Sequence, residues 1–347
     1  MFSPIVFYSP LAIITKDEEK ARKAKMSVII ERYKDKVSTL TKQETWMNRR
    51  LYEYQGFWYH QGFWYQSRAN FSVEAIMATQ DDFTAKSTDI FLASHPKSGT
   101  TWLKALSFAI VNRTNFIIGT GSSPTHPLLT TSPHDCVPFI ETDSFLNNPS
   151  YANGLMATHI PYTSLPESII SSGCRIVYIC RNPKDVLISV WVFFNKLKDN
   201  SSTPMKLEDA FELFCKGISL IGPFWDHVIG YRKASLERPD KVLFLNYDKI
   251  QKDPNNEVKK LAKFIGYPFT EEEEAAGEVE NIIKLCSFEK LSEANKTNKD
   301  GDVTPKDVSN EIYFRKGKVG DSTNYLTTEM IEILDKITEE KYNGLDI

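Results

Sequence analysis

A chain of 347 residues can hold one large α/β domain or two small ones, and its 41% hydrophobic and 25% charged residues fit a protein that buries a substantial core rather than a disordered one. With 42 basic against 45 acidic residues the formal charge is −3, which offers no overall basic excess for nucleic acid or an anionic membrane, so any polyanion site has to be local. Five widely spaced cysteines in mostly apolar runs point to a reducing, cytoplasmic setting, and six histidines without HxxxH or HExxH spacing argue against a metal site.

Residues 1–15 are apolar (Phe2, Ile5, Val6, Phe7), but Pro4 and Pro10 interrupt the run, it is too short to span a bilayer, and its charges follow it rather than precede it. It reads as a loosely ordered extension, not a targeting signal. Residues 16–50 are charged, free of Gly and Pro, and predicted to form a peripheral helix or two; with the apolar start they make a variable, partly helical N-terminal extension over 1–50. Next, QGFWY at 55–59 recurs at 61–65, an offset of six residues that is neither a solenoid nor a helical period. A local duplication is the plain explanation. The second copy runs on into Ser67 to Asn70 and Glu74 to Met77, so the first copy is expected to be an inserted loop.

From residue 89 the pattern becomes an alternation of strands and helices. Apolar runs of strand length stand at 89–94, 154–158, 175–180 and 241–247, and helices are predicted at about 100–111, 183–198, 206–220 and 254–265. Runs without clean polar alternation imply a parallel sheet covered on both faces. No linker cuts this alternation, so 51–347 is predicted to be a single domain. Residues 292–311 are polar, poor in large apolar residues, and predicted to be a mobile segment before the last motif.

The first chemical motif is PKSGTTW at 96–102, between a predicted strand and helix, where unpaired backbone N–H groups and the helix dipole converge. Gly99 lets the backbone approach an anion, Thr100 and Thr101 add hydroxyl donors, and Lys97 adds a mobile charge. Lys97 precedes Gly99, so the GxxxxGK[ST] loop of ATP-type enzymes is absent and nucleotide hydrolysis or a kinase reaction loses its main signature. Arg181 ends a predicted strand and Ser189 lies eight residues on, in the following helix. Taken with the first loop, the pair favours a ligand with two separate phosphates.

At these motifs the chain resembles the plant cytosolic sulfotransferases. The resemblance runs from about Tyr54 to about Lys341 and implies an α/β fold with a central, mostly parallel sheet flanked by helices, P-loop-like in its donor loop. It implies the co-substrate PAPS (3'-phosphoadenosine 5'-phosphosulfate), the product PAP, and no metal. Lys97, Ser98, Gly99, Thr100, Thr101 and Trp102 would hold the 5'-phosphosulfate end, and Arg181 and Ser189 the 3'-phosphate. Arg315, Lys316 and Gly317, in RKGKVGD at 315–321, match the segment that closes over that phosphate. Trp102, Tyr247 and Phe288 fall where the family surrounds the adenine, and aromatic faces stack on a base whatever its polar edges.

His159, in ATHIP at 157–161, matches the family's general base. Relatives often carry lysine two residues earlier, where this chain has Ala157, which shifts charge stabilisation to Lys97. The resemblance implies sulfuryl transfer to a hydroxyl of a small acceptor of flavonoid, steroid, jasmonate or desulfoglucosinolate type in plant specialised metabolism. Trp64, Tyr65, Phe139, Trp191 and Phe193 are candidates to line an apolar or aromatic acceptor pocket. Two departures stand out. A tryptophan usual after the Gly-Asp of the last segment is Ser322 here, which predicts a looser closure and leaves a catalytically impaired PAP-binding homologue as the alternative. The dimer motif KxxxTVxxxE of animal relatives would fall on Thr323, Thr327, Thr328 and Glu332 and lacks its Lys and Val, so a monomer or weak dimer is expected.

Overall fold

The computed structural model describes residues 16–46, 49–60, 63–65, 69–116, 126–142, 154–197, 203–294 and 315–347. Most of the predicted mobile segment, 295–311, lies outside them, as does the apolar start at 1–15.

The charged stretch after residue 15 is helical only as far as Ser38 (α1, Lys16–Ser38). Beyond it, Lys42–Trp46 (β1), Arg49–Tyr54 (β2) and Phe57–His60 (β3) form an antiparallel sheet in the order β1-β2-β3, where helix was predicted up to residue 50. The register pairs Tyr54 with Phe57, and the two residues between them, Gln55 and Gly56, have φ of 54° and 79°. That is the left-handed pair a two-residue hairpin needs. The first QGFWY copy is therefore a hairpin turn and a strand, not a loop, with Phe57 and Tyr59 buried in the core. The second copy supplies Phe63–Tyr65 (β4), antiparallel to Ala69–Phe71 (β5); the side chains of Trp64 and Tyr65 lie outside the described residues. Ser72 then caps α2 (Val73–Asp82), and α1 docks on it through Arg32 to Asp82 and the Tyr33 hydroxyl to Asp81, both 2.7 Å.

The four apolar runs become parallel strands β6 (Ile90–Ser94), β7 (Leu155–Thr158), β8 (Arg175–Cys180) and β9 (Val242–Asn246), in the spatial order β7-β6-β8-β9. Side chains on a strand alternate between faces. Accordingly Phe91 and Ala93 belong to one core with Met156, Ile176 and Tyr178, while Ile90 and Leu92 belong to a second with Leu155, Val177 and Ile179. The second face is covered by α3 (Thr100–Asn112) and, further on, by the segments 254–265 and 278–285. Two short helices follow α3, α4 (Pro133–Cys136) and α5 (Glu167–Ser171), and after β8 comes the longer α6 (Pro183–Lys196) on the first face. Helix 224–237 buries Phe224, Trp225 and Tyr231 on that same face, and Leu334 of helix 328–342 packs beside them.

This strand order places the site. β7 and β8 flank β6 on opposite sides, so the connections leaving the carboxyl end of β6 diverge and open a crevice there.

Candidate active site

Each of the four parallel strands delivers functional groups from its carboxyl end into one cavity of about 430 Å³. The loop after β6 brings Lys97, Gly99, Thr100, Thr101 and Trp102; His159 follows β7, Arg181 follows β8, and Tyr247 follows β9. Ser189 on α6, Phe288 and the segment Arg315 to Lys318 complete the wall. All residues predicted for the donor site and for catalysis, except Ser98, line this space. Ser98 is wholly buried beneath the loop, and its N–H closes the turn onto the His95 carbonyl at 3.2 Å.

The loop's conformation explains its sequence. Gly99 sits at φ 112°, and a Cβ there would lie 2.8 Å from Tyr247 Cδ2 and 3.1 Å from Ile179 Cδ1, so only glycine fits. As the N-cap of α3, Gly99 has no side-chain cap to its first turn, which leaves that helix end to bind an anion. Gly317 is constrained in the same way. At φ 63° its Cβ would meet the Phe288 ring at 2.5 Å.

Among the described residues, five basic side chains, Lys97, Arg181, Arg315, Lys316 and Lys318, line the cavity with one carboxylate, Glu289, while Asp185 and Asp321 behind the wall pair with Arg181, Arg315 and Lys316. The chain's balanced overall charge thus hides a locally positive pocket. Burial, reinforced by Arg181, Arg315 and Lys196, lowers the Lys97 ammonium to about 7. Its Nζ lies 4.1 Å from the centre of the Phe193 ring. Arg181 donates to the Lys318 carbonyl at 2.8 Å and stacks over Tyr247 at 4.7 Å, while its buried Nε has no partner among the described residues. A buried guanidinium N–H without an acceptor is costly, and a phosphate oxygen would satisfy it. Trp102 and Tyr247 meet edge to face at 5.4 Å, and the Tyr247 hydroxyl reaches the Gly317 carbonyl at 3.4 Å, which ties this aromatic pair to the last segment.

His159 stands where the cavity turns apolar, between Phe139 at 4.6 Å and Phe71 at 6.4 Å. Its Nδ1 is 2.7 Å from the Ser94 carbonyl. A carbonyl only accepts, so Nδ1 carries the proton and Nε2 keeps its lone pair. Burial first, then the charges of Lys104 and Lys97, lower the imidazole to about 3, so it stays neutral at physiological pH. The backbone of His159 is fixed from both sides: its N–H donates to Glu141 at 2.5 Å, and His227 Nε2 donates to its carbonyl at 3.0 Å.

A family model, the sulfotransferase domain, matches residues 87–346. The chain belongs to the sulfotransferase family. Cytosolic sulfotransferase 17 of Arabidopsis thaliana is 45% identical over 321 residues, covering 90% of this chain and 88% of that protein. Flavonol 3-sulfotransferase of Flaveria bidentis is 50% identical over 297 residues, covering 84% of this chain and 90% of that protein. The crystal structure of a mouse sulfotransferase complexed with PAP has a TM-score of 0.63 at 25% identity, covering 85% of this chain and 96% of that one.

Several residues of this sulfotransferase's site were not singled out from its sequence. Asp185, in the same CRNPKDV run as Arg181, accepts the N–H groups of Gly320 and Ser322 and so pins the last segment. Asp321 pairs with both Arg315 and Lys316. Lys104 and His134 contact the Phe139 ring, Glu141 holds the His159 N–H, and Phe71, Phe194, Leu220 and Ile221 add apolar wall. A charged residue at a core position of an apolar helix, as Lys104 is, was the one available signal. Of the acceptor-pocket candidates, Phe139 and Phe193 line the cavity, whereas Trp191 does not: its indole N–H is tied to the Met205 carbonyl at 2.8 Å. Among the described residues no group of three His, Cys, Asp or Glu side chains could hold a metal ion, and no helix is long and apolar enough to cross a membrane.

Proposed function

We propose that this sulfotransferase moves the sulfuryl group of PAPS onto a hydroxyl of a small aromatic or apolar acceptor, with His159 as general base and Lys97 stabilising the departing 5'-phosphate. The observation that carries this reading is the His159 tautomer. With Nδ1–H held by the Ser94 carbonyl, Nε2 is the free lone pair of a neutral base at the border between the cationic and apolar parts of one cavity. His159 Nε2 takes the acceptor's proton as the acceptor oxygen forms its bond to sulfur. The bond between sulfur and the bridging phosphate oxygen breaks, and Lys97 with the N-terminus of α3 neutralises the charge left on PAP.

Arg181, Ser189, Arg315, Lys316 and Gly317 are assigned to the 3'-phosphate, and Trp102, Tyr247 and Phe288 to the adenine. The acceptor lies among Phe71, Phe139, Phe193, Phe194, Leu220 and Ile221, an apolar wall that suits a flat ring and offers no carboxylate to an amine. Residues 51–347 act as the single catalytic domain of a cytoplasmic monomer or weak dimer, and the Flaveria relative's name makes flavonols the first acceptors to try. Transfer of label from radiolabelled PAPS to a panel of flavonols, steroid alcohols, hydroxylated jasmonates and desulfoglucosinolates tests the reading. PAP binding without transfer to any of them would overturn it in favour of a non-catalytic binder.

A further inference from the structure

Beneath the donor loop, two polar side chains that the assigned chemistry does not use line up behind Thr101. Lys104 is wholly buried on α3. Its Nζ is 2.8 Å from the Val137 carbonyl, 3.2 Å from the centre of the Phe139 ring, and 3.3 Å from His134 Nδ1. His134, on α4, reaches Thr101 Oγ1 through Nε2 at 2.9 Å. His134 and Thr101 both line the cavity.

We infer that Lys104 and His134 are positioning residues that orient the Thr101 hydroxyl as a hydrogen-bond donor to the 5'-phosphate group of the nucleotide. The inference rests on the donor-site assignment above and extends it to residues outside the loop. An ammonium has three donors and no acceptor, and here it faces three electron-rich partners. His134 Nδ1 therefore accepts from Lys104, the ring proton sits on Nε2, and Nε2–H donates to Thr101 Oγ1. With its oxygen already accepting, the Thr101 hydroxyl directs its own proton into the cavity, where the first turn of α3 binds anions. Burial lowers the Lys104 ammonium well below its usual range, against the pull of Glu141 and Asp135 toward the charged form. Only an amine that turned its lone pair to a protonated His134 Nδ1 would reverse the chain, making Thr101 donate to His134 and turning an oxygen lone pair on the phosphate. Breaking a reversed chain would raise affinity.

Calorimetric binding of two probes tests this: PAP, and adenosine 3'-phosphate, which lacks the 5'-phosphate. Thr101→Val should weaken PAP about tenfold and His134→Phe about fivefold, the scale of a hydrogen bond to a charged group or of its lost orientation. Both variants should hold adenosine 3'-phosphate as the wild type does, and Thr101→Ser should resemble wild type with both probes. The double variant should be no weaker than Thr101→Val alone, since the relay acts only through that hydroxyl. Lys104→Met should match His134→Phe; should it not fold, the His134 and Thr101 variants decide. Equal losses for both probes, unchanged or tighter PAP binding in His134→Phe, or additive losses in the double variant overturn the relay. Wild-type protein that binds neither probe overturns the donor assignment and the relay together.

Discussion

Asp185 holds the backbone of Ser322: its Oδ1 accepts the Ser322 N–H at 3.0 Å, and its Oδ2 accepts the Gly320 N–H at 2.8 Å. Asp185 is itself buried in the first turn of α6, close to Arg181 at 3.3 Å. One carboxylate thus couples the strand-end arginine to the segment that carries Arg315 and Lys316. Because the anchor uses main-chain N–H groups, it needs no tryptophan at position 322.

Asp185→Asn keeps the volume but replaces one acceptor oxygen with a donor facing an N–H. PAP affinity is expected to fall about tenfold, and the Gly320 and Ser322 amides should exchange faster with solvent. Titration calorimetry and hydrogen exchange read the two effects. Unchanged affinity would show that the last segment closes without this anchor.

His159→Ala removes the base but leaves the donor walls in place. Turnover should fall by roughly 10²–10⁴, the usual worth of a positioned general base. PAP affinity should change by no more than about twofold, because His159 lies on the acceptor side of the cavity. A variant that loses PAP binding, or keeps full activity, would falsify the role.

The depressed Lys97 predicts a pH dependence of donor binding. The free protein carries this charge below about 7 and loses it above, whereas a bound phosphate favours the charged form. PAP affinity should therefore decline from pH 7 to pH 9, with uptake of close to one proton on binding at the upper end. Lys97→Met should bind weakly and show no such decline. Calorimetry in buffers of different ionisation enthalpy measures the proton directly, and a flat profile in the wild type would contradict the prediction.

Folding stability should fall on the acid side. Burial lowers His159 to about 3 and His126 and His227 to about 4, and it also lowers His95 and His134. The unfolded chain takes up these protons near the ordinary imidazole value of 6.5, so their stability is complete above that pH and is lost as pH drops. Glu141 acts in the opposite sense. Raised to about 7 by burial, it favours the folded state below its ordinary value of 4.5 and loses that contribution as pH rises through 7. Burial raises Asp89, Asp248 and Glu278 in the same sense as Glu141 but by less, and the five imidazoles outweigh these carboxyls, so the thermal midpoint should drop between pH 6.5 and pH 4.5. A midpoint that held or rose over that interval would count against the burial of these rings in the folded state.

What the sequence determined by itself was local: the strand runs, the helix after PKSGTTW, and the phosphate-binding residue types. Those signals are short-range, set by side-chain periodicity and by the φ that Gly99 requires, and they survive without knowledge of the partner strands. The tertiary structure decided what depends on distant partners. Residues 42–46 and 49–60 form a sheet because the Gln55–Gly56 turn lets two aromatic strands pair, a gain that no helical propensity for the same stretch records. Trp191 faces away from the cavity because α6 turns it toward Met205. Asp185 meets Ser322, Lys104 meets His134, and His134 meets Thr101, each pair 30 or more positions apart, and hydrogen bonds of that span leave no mark in the spacing of a sequence.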